Sequence, residues 1–356
     1  MTSAIERLKA MARTAKAPSS SLESRIMAET ALPVVYDPAP EGLQATTERR
    51  LSPLAEASDF GGLTKAFDRL FARRTFCSNG YRSYRVAQAM LLASIDKTPE
   101  ACGVADAERM LAPYRQWWLR DRGNPAAAAV LAHALLGSGF ASGDLAMDQT
   151  GADIAMARLR TACGEARSVL AHAGPLGRLH WLWRQADFSL TYLAWSCGIE
   201  DEALLVPTFA AVQVLDPHEF GIYDDRAMHL SPGQAGDVAA VERFACAAAK
   251  RTRAQFGDLL YARIYDTVLE YEDAEQTRVD PDRLMAGFAD WYARFPGQAL
   301  ANRYAAHAHA SGDYATLRGL FRNEIREIQP AHWFDSDQPL EAWRSVAKRR
   351  PRGNKK

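Results

Sequence analysis

The sequence lacks the features that mark several large protein classes. Its five cysteines contain no C-x-x-C pair, which argues against a zinc ribbon, a redox dithiol or a disulfide framework. No apolar run is long enough to cross a bilayer, and charged residues stand where the apolar core of a secretory signal would have to be. We therefore predict a cytoplasmic protein with no membrane span, no bound metal and no cofactor.

Familiar catalytic and phosphate-binding motifs are missing as well. The chain contains no G-x-x-x-x-G-K-[ST] loop, no G-x-S-x-G elbow and no H-E-x-x-H pair. Gly137, Gly139 and Gly143 depart by one position from the dinucleotide-binding glycine pattern. We assign no catalytic residue on this basis, and a non-enzymatic protein is the first hypothesis.

The charges balance overall but are unevenly distributed. Basic and acidic residues number 43 each, and the two ends of the chain take ten of the basic ones, which leaves 33 basic against 42 acidic residues between positions 17 and 347. We interpret the tail 348–356 as a solubilising basic tail. Because the acidic body repels phosphates, we expect no strong nucleic-acid binding, although binding through the basic ends stays a third hypothesis.

The first 58 residues differ from the rest of the chain. They hold a serine run after Pro18, three further prolines before position 41, and no sustained apolar period. This composition is typical of a flexible arm or linker, which we predict for residues 1–58.

Residues 59–347 carry a nearly continuous helical signal. Apolar residues recur three or four positions apart, as in the stripes Leu63-Phe67-Leu70 and Leu284-Phe288-Trp291. Asp280 and Pro281 read as an N-cap and a first-turn proline, and Pro296-Gly297 would end that helix. No alternating strand pattern competes, so we predict an all-α protein.

Two stretches resemble a tetratricopeptide repeat, in which two helices meet at a turn of small residues. One contains Gly312 in its turn and Pro330 at its end, and the other contains Gly198 and Pro217. Their spacing predicts an α-solenoid of stacked helix pairs.

The order of several motifs also resembles a known family. The motifs are Arg115-Gln116-Trp117-Trp118, Arg122-Gly123, Leu215-Asp216-Pro217, Leu230-Ser231-Pro232-Gly233, Val241-Glu242-Arg243-Phe244-Ala245, Gly257 and Tyr261-Ala262-Arg263-Ile264-Tyr265. Over about residues 60–330 they resemble the bacterial domain-of-unknown-function family 4034, although this chain lacks the expected Trp-Gly pair at 231–236. The resemblance implies a helical, repeat-like fold and no established chemistry.

Aromatic and charged residues near turns supply the candidate partner-binding residues. Neighbouring Trp117 and Trp118 point about 100° apart on a helix, so one ring can pack inward while the other lines a groove. We select six candidates, which are Trp117, Trp118, Arg122, Tyr223, Asp224 and Asp225. The leading hypothesis is a scaffold that binds a protein or peptide, such as a bacterial adaptor or a toxin-immunity protein.

The polar stretch 218–237 supports an alternative hypothesis. It contains His218, two adjacent aspartates and His229, which follows Asp225 by four residues and would share its helix face. A His–Asp pair can tune a general base. An uncharacterised enzyme or ligand binder that uses this stretch is therefore the second hypothesis.

Overall fold

The computed structural model describes residues 20–36, 38–92, 104–141, 149–233 and 236–347. In these ranges helices joined by turns make up the ordered structure, and no strand occurs beyond two isolated bridges. The prediction of an all-α protein is confirmed. The α-helices are Ser20–Thr30, Gly42–Glu56, Phe60–Arg73, Tyr84–Leu92, Val104–Arg120, Pro125–Ala141, Gln149–His172, Gly174–Gly177, Trp181–Ser196, Leu205–Leu215, Gly221–Leu230, Val238–Phe256, Leu259–Val268, Pro281–Arg294, Gln298–Ala310, Tyr314–Asn323 and Gln338–Ala347.

The chain divides into two compact units. The described residues of the first unit fall within Leu43–Phe76 and Tyr81–Ile222, and those of the second fall within 20–42, Cys77–Gly80 and 223–347.

The first unit is organised around the alanine-rich helix Pro125–Ala141. Its residues from Ala126 to Ala132 are all at least 98% buried, and the short side chains of the alanines among them let neighbouring helices approach closely. The helices that pack against it include Tyr84–Leu92, Val104–Arg120, Gln149–His172, Gly174–Gly177 and Trp181–Ser196.

Helices of the second unit pack against their successors along the chain. Each neighbouring pair from Val238–Phe256 to Tyr314–Asn323 is in contact, and Gln338–Ala347 packs against both Tyr314–Asn323 and Ser20–Thr30. The helix after Asp280 begins as predicted: the Asp280 carboxylate accepts hydrogen bonds from the backbone N–H groups of Asp282 and Arg283, and Pro281 occupies the first turn. Gly312, at φ +75°, forms the predicted turn before Tyr314–Asn323.

The described part of the predicted arm differs from a linker. Residues 20–30 and 42–56 are helical, and Ile26 and Leu51 are buried. Residues 33–35 exchange two backbone hydrogen bonds of 2.8 Å with Ile328, and Glu29 pairs with Arg344. Sequence reasoning missed these helices because each buries only a few apolar side chains. Residues 1–19 and the basic tail 348–356 lie outside the described residues.

Candidate functional site

The two adjacent tryptophans of helix Val104–Arg120 contact different parts of the first unit. The Trp117 ring stacks on Phe60, with centroids 5.1 Å apart. The Trp118 ring meets the His172 ring edge-on at 5.4 Å. Both indoles are half-buried, so neither is a pure core residue and each keeps an accessible part.

Arg122 lies over the ring of Trp118, with its guanidinium carbon 5.1 Å from the ring centroid. It sits in the tight turn after the helix, where the N–H of Asn124 donates to the carbonyl of Asp121. The Asn124 side chain then caps the next helix by accepting from Ala126 and Ala127. The turn therefore fixes the position from which Arg122 reaches Trp118. We call Trp118, Arg122 and His172 the Trp118 platform.

The one-turn helix Gly174–Gly177 begins two residues after His172. Residues Gly174–Leu179, which we call the leucine turn, hold Leu176 and Leu179 at 69% and 74% exposure. Backbone hydrogen bonds close the turn, from Leu179 to Leu176 and from His180 to Gly177. The Arg184 guanidinium also donates to the carbonyl of Arg178 at 2.9 Å. The two leucines are therefore exposed on an ordered segment.

Gly177 anchors the leucine turn to the rest of the first unit. It is buried, and a Cβ atom at this position would come within 2.6 Å of Nε1 of Trp183. The indole N–H of Trp183 donates to the carbonyl of Leu170 at 2.9 Å. A close backbone approach thus requires glycine here, and the contact fixes the turn against two helices.

Three arginines border these features without a carboxylate partner among the described residues. Arg120, Arg122 and Arg178 are exposed and form no ion pair there. Asp121 is the one acidic residue in the segments 119–124 and 174–179. The Trp118 platform and the leucine turn therefore combine apolar surface with positive charge.

The other three candidates lie in the second unit, and one of them requires a correction. Tyr223 is fully buried and its ring packs on Phe244, so a partner cannot reach it. Asp224 accepts two hydrogen bonds from the buried Arg263, at 2.8 and 2.5 Å. Asp225 is half-buried on the same helix. The sequence could not show which face of Gly221–Leu230 is turned inward.

Both histidines of the stretch 218–237 have pKa values below that of a free imidazole. Burial, assisted by Arg226, lowers the pKa of His229 to about 3. Burial and Arg82 also lower the pKa of His218. Across the described part of the chain, no three His, Cys, Asp or Glu side chains are grouped so as to hold a metal ion.

Sequence reasoning missed a charged cluster in the second unit. Arg303 donates to Asp266 and Glu270, and Nε2 of His307 lies 2.7 Å from Oδ1 of Asp266. Arg303 and His307 are four residues apart on one helix, but no spacing links them to Asp266, more than 35 residues away. Phe334 covers the cluster with its ring 5.0 Å from the Arg303 guanidinium.

The protonation states of this cluster follow from burial and charge. Burial lowers the pKa of His307, and Arg303 adds to this effect while Asp266 opposes it. Burial would raise the pKa of Asp266, but Arg303 and His307 outweigh it and lower that pKa. A neutral imidazole therefore donates its Nε2 proton to an ionised carboxylate. The cluster is internally paired, which is typical of a stabilising network.

Comparisons with known proteins give no identification. No protein-family model matches the chain, and no curated protein and no solved structure is significantly similar to it. Among the described helices, none has both the length and the apolar character needed to cross a membrane.

Proposed function

We propose that this protein is a non-enzymatic helical scaffold that binds a protein or peptide partner through the leucine turn and the Trp118 platform. The observation that carries the proposal is the exposure of Leu176 and Leu179, at 69% and 74%, on an anchored turn. Burying a leucine side chain contributes roughly 1.5–3 kcal/mol. Two leucines held in water on one rigid segment represent binding free energy that a partner can use.

The proposal also includes a repeat architecture. Successive contacts between the helices of the second unit and the turn at Gly312 support a tetratricopeptide-like arrangement, as does the resemblance to the bacterial family 4034. Repeat proteins of this kind present surfaces to other proteins. An adaptor or a toxin-immunity protein acting in the bacterial cytoplasm fits the proposal.

Capture from the native host tests this function. The purified full chain is compared with Leu176→Ser/Leu179→Ser and with the control Val206→Ser/Val214→Ser, which removes two apolar side chains that are 60% and 80% exposed on another helix of the same unit. We expect a protein captured by the wild type and the control but lost with the leucine variant, and the purified captured protein should show the same dependence.

One outcome of this capture experiment would contradict the proposal. If all three chains capture the same proteins in equal amounts, the leucine turn is not a binding surface. Circular dichroism of the variants checks that each remains folded, since substitutions at exposed positions change stability by only about 0.5 kcal/mol.

A further inference from the structure

The chemistry around the leucine turn indicates what kind of partner it accepts, and this inference rests on the function proposed above. The body of the chain between 17 and 347 carries 42 acidic residues against 33 basic ones. Against this background, Arg120, Arg122 and Arg178 have no carboxylate partner among the described residues. Buried arginines such as Arg263 and Arg303 are each paired with carboxylates.

Apolar side chains accompany these three arginines. Leu119 is 53% exposed on the last turn of the helix that carries Trp118, directly before Arg120. Leu176 and Leu179 flank Arg178 in the leucine turn, which begins two residues after His172 of the platform. Arg120 and Arg178 are therefore each next to an exposed leucine in the chain, and Arg122 follows Leu119 by three residues.

We propose that this surface binds an acidic, apolar segment of a partner protein. Apolar side chains of the segment pack on Leu176 and Leu179, and a carboxylate of the segment binds Arg122. Charge complementarity supports this occupant, because the three arginines outnumber the acidic residues Asp121 and Asp68, the second of which lies 3.3 Å from His180 at the end of the turn. A basic segment would meet three positive charges and be rejected.

Arg122 is the arginine best prepared to bind a carboxylate. Its guanidinium carbon lies 5.1 Å from the centroid of the Trp118 ring, and it forms no ion pair among the described residues. Stacking restrains the plane of the guanidinium and leaves N–H groups at its edge for a two-point hydrogen bond. Less side-chain freedom is then lost when the carboxylate arrives.

An anionic membrane is the competing occupant, since arginine, leucine and tryptophan also favour lipid interfaces. The structure favours a protein. The Trp118 ring is half-buried and held edge-on against His172, so most of the ring is not available to insert between lipids. Gly177 fixes the turn against Trp183, and a rigid turn suits a shaped partner more than a fluid bilayer.

Synthetic probes test the inference on the full chain. The first is an amphipathic peptide with leucine on one helix face and glutamate on the other, and the second carries lysine in place of every glutamate. Vesicles of phosphatidylcholine and phosphatidylserine are the third. Binding is measured by calorimetry for the peptides and by co-sedimentation for the vesicles.

We expect the glutamate peptide to bind at least about tenfold tighter than the lysine peptide, with an affinity that falls as salt is added. Arg122→Glu should remove this preference, whereas Arg50→Glu, an exposed arginine on another helix of the first unit, should keep it. Leu176→Ser/Leu179→Ser should weaken both peptides.

Three results overturn the inference. Equal binding of both peptides that depends on the leucines removes the charge preference and leaves the proposed function intact. Binding of neither peptide rejects an acidic apolar segment as the occupant, while capture from the host still tests the proposed function by itself. Vesicle binding that Arg122→Glu abolishes, without peptide binding, assigns the surface to a membrane.

Discussion

Arg122 in the first unit and Arg303 in the second show how burial decides what an arginine does. Both guanidiniums lie over an aromatic ring at nearly the same distance, 5.1 Å from Trp118 and 5.0 Å from Phe334. Arg303 is only 7% exposed and is paired with Asp266 and Glu270, while Arg122 is exposed without a carboxylate among the described residues. A buried charge must be paired inside the fold, whereas an exposed charge can be left for a partner.

We expect the largest loss of unfolding free energy from a substitution in the buried cluster around Arg303. Asp266→Asn leaves Arg303 with Glu270 alone and removes the ionised acceptor of His307. We expect a loss of about 3 kcal/mol in unfolding free energy, measured by urea denaturation, because the positive charge stays buried with too little compensation. Glu270→Gln is the control, since the Glu270 side chain is 48% exposed and its pairing should contribute about 1 kcal/mol or less. Equal losses for the two variants would contradict this account of burial.

The anchoring of the leucine turn can be tested with one substitution made at two glycines. In Gly177→Ala the new Cβ would lie 2.6 Å from Trp183 Nε1, and the forced shift should cost about 1–3 kcal/mol. Gly164→Ala lies inside helix Gln149–His172 with no atom within 4 Å of the new Cβ, so it should stabilise by about 0.5–1 kcal/mol. Thermal unfolding of both variants should give opposite signs; a shared sign would argue that Gly177 does not hold the turn.

Substitution of each of the two neighbouring tryptophans distinguishes a role in packing from a role in binding. Trp117→Ala and Trp118→Ala each remove a half-buried ring, and we expect each to cost about 2 kcal/mol of stability. Only Trp118→Ala removes the ring under Arg122, so only this variant should also weaken the acidic peptide, by several-fold. Binding and chemical denaturation measured on the same samples check this, and parallel losses in both variants would show that the platform is a packing feature.

We expect a smaller effect on unfolding free energy from the protonation of His229 in the second unit. The folded pKa of His229, about 3, is below the ordinary value of 6.5, so folding favours the neutral imidazole. Its contribution is fully present above pH 6.5 and is lost as the pH falls from there toward 3. Unfolding free energy measured between pH 7 and 5 should therefore fall less steeply in His229→Asn than in the wild type. Identical slopes would exclude His229 as a source of the pH dependence.

Sequence reasoning succeeded where local chemistry decides the structure. The carboxylate of Asp280 and the ring of Pro281 act within one turn of helix, so the start of Pro281–Arg294 was readable from two adjacent residues. The stripe Leu284-Phe288-Trp291 is buried as its spacing predicted. These features need no knowledge of the remainder of the fold.

Sequence reasoning failed where residues far apart in the chain determine the structure. Helix Ser20–Thr30, in which Ile26 is buried, packs against Gln338–Ala347 far along the chain, and the segment itself has too few apolar side chains to signal this. The position of Tyr223 near a turn predicts a partner-binding residue, but the packing of its helix turns the ring inward on Phe244. The leucine turn offered one local signal, Gly174-Pro175 followed by two leucines three apart, which marks a turn without showing that it is exposed.

The position of Arg178 in the leucine turn predicts how this segment responds to trypsin. An exposed arginine is a cleavage site for trypsin, but a protease must draw the chain into an extended form across its cleft. The hydrogen bonds around Gly177 and its contact with Trp183 oppose that extension. In the native protein, the peptide bond between Arg178 and Leu179 should therefore outlast those of arginines in looser loops, and its cleavage would report that the turn has come away from Trp183.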